Sequence, residues 1–484
     1  MLLSKLIEGL DTEEIKGNKD IDIYDIAYDS RKVKNGSLFV CIEGTIVDGH
    51  NFIPSALENG AKALLVQKDV EVPEGITVVK AKNTRYALAH VSDAFYNHPS
   101  GKFNLIGVTG TKGKTTITYM IKSILEQENH KVGLIGTVAN MIGDQVLYAE
   151  RTTPESYDLQ SLFAEMLEKN VDSVVMEVSS QGLALNRVSC CEFQVGIFTN
   201  LTEDHIGPRE HKDKEDYFRA KAKLYSMCKK GIVNIDSEYG RRILDMAKCE
   251  LLTYGIENDA DITASDIVKH SDRVEFNLKS PWMNGRVKVN IPGKFSVYNA
   301  LAAIGACGLM NVSFDNVKAG LERVSVPGRV ETVKIDKDYT VIIDYAHTPD
   351  SLENVLTTVK DFTKGRLISV FGCGGDRDRA KRPAMGKISG RIADFTIITS
   401  DNPRTEEPLA IVRDIEEGIK ETEGKYTTIV DRREAIKYAL SNAQPGDVIV
   451  LAGKGHETYQ TFKDKTIHFD EREVVREILK ELEE

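Results

Sequence analysis

Two stretches of this 484-residue chain alternate between short apolar runs and helical patterns, and this alternation limits the possible folds more than any other feature. The first stretch begins at Phe103 and contains the apolar runs FNLIGVTG, KVGLIGT, VDSVVMEVS and QVGIFTN. The second begins after the turn at Ser325 to Arg329 and contains TVIIDYA, GRLISVFG, DFTIITSD, YTTIVD and DVIVLAG. Strands separated by helices pair in parallel and carry helices on both faces. The sequence therefore predicts two open α/β sheets.

The first hundred residues form a separate block of short strands and helices, which ends at the breaker cluster NHPSG, residues 97–101. A chain of this length forms about three domains at roughly 100 to 200 residues each. Residues 251–292 show a less regular pattern. We therefore predict an α/β protein with a small N-terminal α/β domain, a central P-loop ATPase-like domain with a mostly parallel sheet, and a C-terminal Rossmann-like α/β domain, at residues 1–100, 101–328 and 329–484.

The acidic composition and the cysteine pattern exclude several classes of protein. A net charge of −11 argues against a general electrostatic grip on nucleic acid or anionic membranes. No stretch approaches the roughly 18 consecutive apolar residues that a membrane span needs. The 7 cysteines are spread along the chain without a CxxC pair, so they indicate neither a zinc site nor a disulfide framework. We expect a cytoplasmic monomer with no nucleic-acid partner and no membrane span.

Residues Gly107 to Thr116, GVTGTKGKTT, lie between a predicted strand and a predicted helix. The glycines let the backbone turn successive N–H groups inward, Lys114 adds a cation, and Thr115 offers a hydroxyl to Mg²⁺. The strict P-loop pattern has its first glycine where this chain has Val108, so the loop is a shortened relative. The alternative is a glycine turn with an incidental lysine. We predict that the segment binds ATP.

Open sheets bind ligands at the carboxyl ends of their strands, and those ends carry reactive side chains here. Glu177 ends the run VDSVVMEVS, where a carboxylate could hold Mg²⁺ beside the phosphate loop. The alternative is a surface glutamate at a strand end. Asp204 and His205 follow the next strand and could supply a metal ligand, a base or only a hydrogen-bonded turn. We expect the two sheets to face each other across a cleft with one composite site.

The strand ends of the second sheet suit an amino acid. We expect GGDRDRAKR, residues 374–382, to point several cations at the cleft. In the segment DNPR that follows the next strand, Arg404 matches a carboxylate bidentately and Asp401 matches an ammonium. Glu457, at the end of AGKGHE, offers a carboxylate for a second ammonium. The alternatives are a solvated loop with an Asx turn before the proline, and a plain turn at AGKGHE.

These parts permit the ATP-driven joining of a carboxylate to an amine. A carboxylate is a poor electrophile, so phosphorylation to an acyl phosphate supplies a leaving group, while Mg²⁺ and Lys114 offset the charge between two anions. A phosphotransferase that delivers its phosphate to a hydroxyl would need no second amino acid pocket. A nucleotide-gated binding protein without turnover is a further alternative.

Together, these motifs resemble those of the Mur ligases of bacterial peptidoglycan synthesis. The similarity runs in the same order through all three predicted domains and includes GTKGKTT, MEVSS, TNLTEDH, YFRAKAKLY, Tyr298 with Asn299, DYAHTP, GGDRD, DNPR and GKGHE. Within the family, the pattern is most similar to the UDP-N-acetylmuramoyl-tripeptide synthetases. The resemblance implies an ATP-dependent, Mg²⁺-dependent ligase that forms an amide bond through an acyl phosphate.

The resemblance also implies roles for individual residues. It assigns the ATP phosphates and adenine to Gly110, Thr111, Lys112, Gly113, Lys114, Thr115, Thr116 and Asn299. It assigns Mg²⁺ to Thr115, Glu177, His205 and a carbamylated Lys221, and catalysis to Lys114, Glu177, His205 and Lys221. It assigns the nucleotide sugar to Ser30, Thr152, Thr153, Ser179 and Arg187. It assigns the amino acid to Arg377, Asp401, Asn402, Pro403, Arg404, Gly453 and Glu457.

The family pattern also implies the substrates. DNPR matches the version associated with meso-diaminopimelate, because Arg404 can pair with the distal carboxylate that lysine lacks. The implied reaction adds meso-diaminopimelate to the D-glutamate side-chain carboxylate of UDP-N-acetylmuramoyl-L-alanyl-D-glutamate. A lysine-adding ligase and a folylpolyglutamate synthetase-like ligase are the alternatives. Two segments count against them: DNPR, and YDSRKV, which contains the uridine-site residue Ser30. For Lys221 the alternative to a carbamate is an ordinary charged helix face.

Several residues depart from the family pattern. Gln181 replaces a histidine, Glu203 replaces an arginine or glutamine, and Leu185 replaces a polar substrate contact of some members. Ser296 replaces the asparagine of the GxFN motif. These differences affect the expected contacts around the dipeptide arm and the adenine.

Overall fold

The computed structural model describes residues 1–483 except 45–46, 203–205, 208–209 and 271. The chain divides into two compact units that are both discontinuous in sequence. The first unit comprises Met1–Thr263, Ser280–Trp282 and Leu301–Val317. The second comprises Ala264–Lys279, Met283–Ala300 and Lys318–Glu484. The domain boundaries near residues 101 and 328 stay predictions.

The N-terminal part of the first unit is a small α/β sheet. Its elements are α1 (Leu3–Leu6), β1 (Thr12–Lys16), β2 (Asp25–Ala27), β3 (Ser37–Val40), α2 (Ile53–Glu58), β4 (Ala63–Val66), β5 (Thr77–Ala81) and α3 (Thr84–Phe95). The strand order is β1-β5-β4-β3-β2, with β1 antiparallel and the others parallel. Both faces are buried, because Leu38 packs in the cluster with α1 and α3 whereas the next residue, Phe39, packs with α2.

The central part of the first unit is a larger, mostly parallel sheet. Its elements are β6 (Asn104–Thr109), α4 (Lys114–Gln127), β7 (Val132–Ile135), β8 (Asn140–Ile142), β9 (Gln145–Leu147), α5 (Ser156–Glu168), β10 (Ser173–Glu177), α6 (Ser180–Ala184), β11 (Phe193–Phe198), α7 (Lys214–Ala222), β12 (Cys228–Asn234), α8 (Glu238–Leu244) and β13 (Glu250–Gly255). The next strand, β14 (Ile262–Lys269), begins in the first unit and continues in the second. The strand order β13-β12-β11-β6-β10-β7-β8-β9 places β6 between β10 and β11. The segments that follow these three strands therefore meet at one sheet edge.

The stretch expected to be less regular is in fact rich in strands, so that prediction was wrong. β13 and β14 are followed by β15 (Val274–Lys279) and β16 (Asn284–Val289), which form an antiparallel hairpin. The helices α9 (Lys294–Leu309) and α10 (Phe314–Arg323) come next. Alternation of buried and exposed residues along β15 explains why no continuous apolar run marks this strand.

The C-terminal sheet confirms the second predicted alternation. The elements of this region are β17 (Glu331–Val333), β18 (Thr340–Asp344), α11 (Pro349–Lys360), β19 (Leu367–Phe371), α12 (Lys381–Ile392), β20 (Phe395–Ile398), α13 (Pro408–Ile419), β21 (Tyr426–Thr428), α14 (Arg432–Ser441), β22 (Val448–Ala452), β23 (Tyr459–Thr461), β24 (Thr466–His468) and α15 (Glu471–Glu481). Of these, β23 and β24 form a separate antiparallel hairpin. The order is β17-β18-β22-β19-β20-β21, with only β17 antiparallel to its neighbour. The segments after β18, β22, β19 and β20 share one edge.

Among the helices in the described part of the chain, none is long and apolar enough to cross a membrane.

Candidate active site

The phosphate loop connects β6 to α4, as predicted. Gly110 has φ 144° and Gly113 has φ 92°, a backbone region that side chains disfavour. A Cβ at Gly110 would lie 1.9 Å from Thr199 Oγ1, so this position has no room for any other residue. Lys114 Nζ donates to the carbonyl oxygens of Gly110 and Thr111, both at 2.9 Å. The lysine therefore lies against the loop that was predicted to hold phosphate.

The segment after β11 supports this loop from its neighbouring strand. Thr111 N–H donates to the Asn200 carbonyl at 2.9 Å, and Lys112 N–H donates to Asn200 Oδ1 at 3.0 Å. Thr199 Oγ1 donates to the Lys112 carbonyl at 2.6 Å. The first residues of TNLTEDH thus fix the loop conformation, a role that the sequence analysis did not identify. Glu203, Asp204 and His205, from the same motif, lie outside the described residues.

Glu177 ends β10 and is 1% exposed, so it is not a surface glutamate. Its Oε1 accepts hydrogen bonds from Thr115 Oγ1 and Thr137 N–H, both at 2.9 Å. Its Oε2 accepts from Thr137 Oγ1 at 3.0 Å. Thr137 was not predicted, although its place just after β7 at the same sheet edge was a usable signal. These bonds hold the Glu177 carboxylate beside the first turn of α4.

The predicted substrate threonines lie next to Glu177. Thr152 Oγ1 is 3.0 Å from Thr137 Oγ1, and Thr137 in turn donates to the carboxylate. Thr153 donates to the main-chain oxygen of Glu177 at 2.9 Å and accepts from Ser179 N–H at 3.0 Å. The structure therefore brings together the predicted metal and dipeptide residues of this sheet.

The other two predicted dipeptide residues, Ser179 and Arg187, lie in and after the segment that connects β10 to α6. Ser179 Oγ accepts from Gly182 N–H at 3.0 Å and caps α6. Arg187 donates to the Thr153 carbonyl at 3.1 Å, and its Nε lies 3.4 Å from the Glu155 carboxylate. Burial is the main cause of a lowered pKa of Arg187. Its guanidinium is thus held next to Thr153 in a largely desolvated position.

Lys221 lies in α7 and is 1% exposed. Its Nζ donates to the Gly110 carbonyl at 2.9 Å and lies 4.5 Å from the centre of the Tyr217 ring. Lys114 donates to the same carbonyl oxygen at the same distance. The sequence alternative of an ordinary charged helix face is wrong, because this lysine is buried against the phosphate loop.

The oxygen groups near the loop fit a hard cation. The Thr115 hydroxyl and the Glu177 carboxylate, 2.9 Å apart, are the ligand types that Mg²⁺ prefers. His205 lies outside the described residues. Within the described residues, no group of three or more His, Cys, Asp or Glu side chains could hold a metal. Mg²⁺ usually completes its coordination with water and substrate phosphates, and the assignments of His205 and of a carbamylated Lys221 as further ligands stay predictions.

Two further predicted site residues, Ser30 and Asn299, and the motif departure Ser296 are described individually by their own contacts and burial. Ser30 begins a single helical turn in the N-terminal sheet region, is buried, and its carbonyl accepts from Asn59 Nδ2 at 2.9 Å. Asn299 is buried in α9, and its assignment to adenine stays a prediction. Ser296 Oγ donates to the Pro292 carbonyl at 2.9 Å, so this departure from the family motif has a structural use at the start of α9.

In the second unit, DNPR and GKGHE lie together at the ends of β20 and β22. Asp401 Oδ1 accepts from Asn402 N–H at 2.7 Å, while Oδ2 is buried without a hydrogen-bond partner among the described residues. A Cβ at Gly453 would lie 2.6 Å from Asp401 Oδ2. Asn402 Nδ2 donates to Glu457 Oε2 at 2.8 Å. The predicted ammonium-binding groups are therefore neighbours.

Arg404 lies against the loop that follows β19. Its φ of 52° is left-handed, its N–H donates to the Thr461 carbonyl at 3.1 Å, and its Nη1 donates to the Gly375 carbonyl at 2.7 Å. A Cβ at Gly375 would lie 1.9 Å from the Pro403 oxygen, so the two loops are in close contact. Arg377, in the same loop, is exposed. Arg404 and Arg377 thus belong to adjoining loops, as predicted.

Two other cations of this loop region are structural, contrary to prediction. Arg382 is 0% exposed and pairs with Glu406 at 2.7 Å and with Asp414 at 2.8 Å. Arg379 also pairs with Asp414, at 3.1 Å. The Arg382 guanidinium lowers the pKa of Glu406 to about 2. Their charges are used within the fold, so they are not available to a substrate as the sequence analysis expected.

Comparisons with known proteins match this arrangement throughout the chain. Residues 22–98 match "Mur ligase family, catalytic domain", residues 108–307 match "Mur ligase middle domain", and residues 328–455 match "Mur ligase, glutamate ligase domain". A ligase of Caldanaerobacter subterraneus subsp. tengcongensis is 49% identical over 484 residues, with 100% of both chains covered. The chain belongs to the Mur ligase family. That relative is named UDP-N-acetylmuramoyl-L-alanyl-D-glutamate--2,6-diaminopimelate ligase.

Further relatives of this Mur ligase agree in name and fold. A Clostridium perfringens protein of the same name is 50% identical over 486 residues and covers 99% of both chains. A solved structure of such a diaminopimelate ligase has a TM-score of 0.75 and 29% identity, covering 100% of this chain and 99% of the other. A Mycobacterium tuberculosis folylpolyglutamate synthase bound to ADP shares the fold at TM-score 0.62 and 17% identity, covering 76% and 92%.

Proposed function

We propose that this Mur ligase joins meso-diaminopimelate to the D-glutamate side-chain carboxylate of UDP-N-acetylmuramoyl-L-alanyl-D-glutamate, with ATP converted to ADP and phosphate. The observation that carries the proposal is identity of 49% and 50% along the whole chain with ligases named for this nucleotide and this amino acid. The enzyme is an amide-bond-forming ligase, and the reaction supplies a peptidoglycan precursor.

The first half-reaction activates the D-glutamate side chain. Its carboxylate oxygen attacks the γ-phosphorus of ATP, the bond to the β,γ-bridging oxygen breaks, and an acyl phosphate and ADP form. Loop N–H groups and Lys114 stabilise the negative charge on the transferring phosphoryl group. Mg²⁺, when bound, supplies positive charge between the two anions, and Thr115 and Glu177 are proposed to hold it with His205. Thr152, Thr153, Ser179 and Arg187 orient the dipeptide, and Ser30 binds the uridine part.

The second half-reaction forms the amide. The unprotonated amine of diaminopimelate attacks the acyl carbon, the amine loses a proton, and phosphate leaves. Asp401 and Glu457 bind the distal ammonium, and Arg404 binds the carboxylate beside it. Nη1 of Arg404 donates to the Gly375 carbonyl oxygen, but the other guanidinium nitrogens make no hydrogen bond to the described residues. They can therefore pair with the carboxylate that distinguishes diaminopimelate from lysine.

We also propose that Lys221 acts as a carbamate. Lys114 and Lys221 donate to one carbonyl oxygen at 2.9 Å each, so their nitrogens are no farther apart than twice that distance. Two ammonium groups so close repel each other. A carbamate replaces this repulsion with attraction to Lys114 and gives an oxygen ligand for Mg²⁺. The unprotonated Lys221 amine takes up CO₂ and releases a proton, so native mass spectrometry in bicarbonate should show a mass increase of one CO₂ that is lost in Lys221→Ala.

Substrate selection at Arg404 tests the proposed function. Purified enzyme with ATP and the UDP-dipeptide should release phosphate with meso-diaminopimelate and not with lysine. Arg404→Ala should lower kcat/KM for diaminopimelate by about 10- to 100-fold, because it removes a charge-assisted pair of about 1.5–3 kcal/mol. Phosphate release should be measured with both amino acids.

The matched control is Arg413→Ala, which removes an exposed arginine of α13. We expect it to leave both activities unchanged. Turnover with lysine alone by the wild-type enzyme would overturn the proposed specificity. A stable phosphorylated product without amide would indicate a phosphotransferase instead, and no substrate-dependent ADP formation would indicate a binding protein.

A further inference from the structure

Lys454, in GKGHE between two residues already assigned to the amino acid, has a full charge in a fully buried position. Its side chain is 0% exposed. Its Nζ donates to Asn402 Oδ1 and to Glu457 Oε2, both at 3.2 Å, and lies 5.6 Å from the centre of the Tyr459 ring. Burial of an ammonium is strongly unfavourable unless it is paired and hydrogen-bonded. Asn402 and Glu457 provide that pairing, so the Lys454 ammonium is tied to two residues assigned to the amino acid.

The first effect of Lys454 is to orient the Asn402 amide. Asn402 Oδ1 accepts from Lys454 Nζ and also from Thr461 N–H at 2.9 Å. With two donors on its oxygen, the amide has only one favourable orientation, and its Nδ2 must point to Glu457 Oε2 at 2.8 Å. A flipped amide would place its NH₂ group against both donors. The cation thereby decides which group Asn402 presents to Glu457.

The second effect concerns Glu457 and the charge of the pocket. Both bonds that Glu457 accepts, from Lys454 and from Asn402, go to Oε2. Its other carboxylate oxygen is thus directed away from these two donors. Asp401 Oδ2 is also buried without a hydrogen-bond partner among the described residues. The two carboxylates and the Lys454 ammonium together carry a net charge of −1 for the ammonium of the ligand, while the Arg404 guanidinium is assigned to its carboxylate.

We infer that Lys454 is a positioning residue for the amino acid substrate, which fixes Asn402 and Glu457 in the arrangement that binds the ammonium and limits the negative charge of the pocket. Lys454 does not touch the reacting atoms in this account. The inference rests on the proposed function, since Asn402 and Glu457 are assigned to the amino acid there. It adds a residue that acts through both of them.

Steady-state kinetics of Lys454→Met tests the inference. We expect the KM for meso-diaminopimelate to rise about 10-fold or more, because the two hydrogen bonds that the Lys454 ammonium donates are lost. The KM for ATP should stay within about twofold, and kcat should change less than the KM for the amino acid. Lys463→Met is the matched control and should behave as wild type, because Lys463 is an exposed lysine in the turn between β23 and β24. If Lys454→Met does not fold, as judged by thermal unfolding, Lys454→Gln is used in its place.

A double-mutant cycle separates positioning from general structural support. If Lys454 acts through Glu457, the substitution Glu457→Gln should raise the KM for meso-diaminopimelate much less in Lys454→Met than it does in the wild-type enzyme. Additive effects, or an unchanged KM for the amino acid, would overturn the inference. If the wild-type enzyme does not use diaminopimelate, the proposed function is wrong. The positioning role of Lys454 is then tested separately by a crystal structure of Lys454→Met. Rotation of Asn402 or Glu457 would support it, and unmoved side chains would refute it.

Discussion

At the residue scale, Thr137 links two groups of side chains that the sequence places far apart. Its N–H and hydroxyl bind both oxygens of the Glu177 carboxylate, and its hydroxyl also contacts Thr152. The proposed metal ligand and the proposed dipeptide contact are therefore connected through one threonine. A change of Thr137 should alter the chemical step more than it alters the binding of the amino acid.

Thr137→Val removes the hydroxyl and keeps the side-chain shape. We expect kcat to fall about 10-fold, because Glu177 loses one hydrogen bond of about 1 kcal/mol and gains rotational freedom. The KM for diaminopimelate should not change. Steady-state kinetics checks both values, with Thr396→Val as the control, since that buried threonine bonds Ser389 in the other unit. Equal losses in the two variants would contradict the special role of Thr137.

The positions of candidate site residues at the sheet edges were predictable where a motif follows a strand, and their roles stay predictions. Lys114, Glu177 and Arg404 all follow that rule, because the carboxyl ends of parallel strands meet at one edge. Thr137 and Lys454 were not predicted, since their partners Glu177 and Asn402 lie 40 and 52 residues away. The buried pairs of Arg382 were missed for the same reason. Contacts over such separations depend on packing that a single sequence does not show.

At the element scale, an ion pair joins the beginnings of α14 and α15 next to the segments proposed to bind the amino acid. Arg432 and Glu471 have 0% exposed side chains and pair at 2.7 Å. Arg432 also donates to the carbonyl oxygens of Ser400 at 3.3 Å and Ala452 at 2.9 Å, which directly precede Asp401 and Gly453. Burial raises the pKa of Glu471, and the Arg432 charge opposes that rise. One buried ion pair therefore fixes the backbones of both pocket segments.

Arg432→Met should destabilise the second unit by about 3–5 kcal/mol, because it leaves the Glu471 carboxylate buried without its partner. Urea unfolding followed by circular dichroism measures this change. The double variant Arg432→Met with Glu471→Leu should recover much of the loss, since neither charge then remains. A single variant as stable as the wild type would mean that the pair contributes little.

Parallel strands were predicted well and the antiparallel hairpin β15–β16 was not. Parallel strands buried on both faces, such as β10 and β22, form continuous apolar runs that are visible in the sequence. In β15 every second residue is at least partly exposed, and the polar residues Glu275, Asn277 and Lys279 fill those positions. Without a helix between the hairpin strands, the alternation used for the prediction is also missing.

At the scale of the whole molecule, the chain passes between its two units several times. The first unit takes in Ser280–Trp282 and Leu301–Val317 in addition to its long N-terminal segment. Trp282, the single tryptophan of the chain, packs so closely on α9 that a Cβ at Gly308 would lie 2.3 Å from its Cε3. Its fluorescence therefore reports on the unit that carries the phosphate loop.

ADP with Mg²⁺ should raise the thermal midpoint of the Trp282 fluorescence transition. Binding to the folded state at 100 times the Kd adds about 2.7 kcal/mol of stability. Gly110→Ala should abolish the shift, because the new Cβ would collide with Thr199 Oγ1. Differential fluorimetry checks this, with Gly75→Ala as the control, since Gly75 has open space around it although its φ of 93° brings some strain. A shift retained in Gly110→Ala would contradict the assignment of the loop.

The discontinuous first unit has a consequence for protein synthesis. A ribosome releases the phosphate loop early, but the unit lacks its last segment until Val317 has emerged. At roughly 5 to 20 residues per second, translation leaves an interval of many seconds in which the first unit lacks its last helical segment. Chaperones that bind nascent chains would act in that interval, and codon changes that slow translation between the two segments would lengthen it.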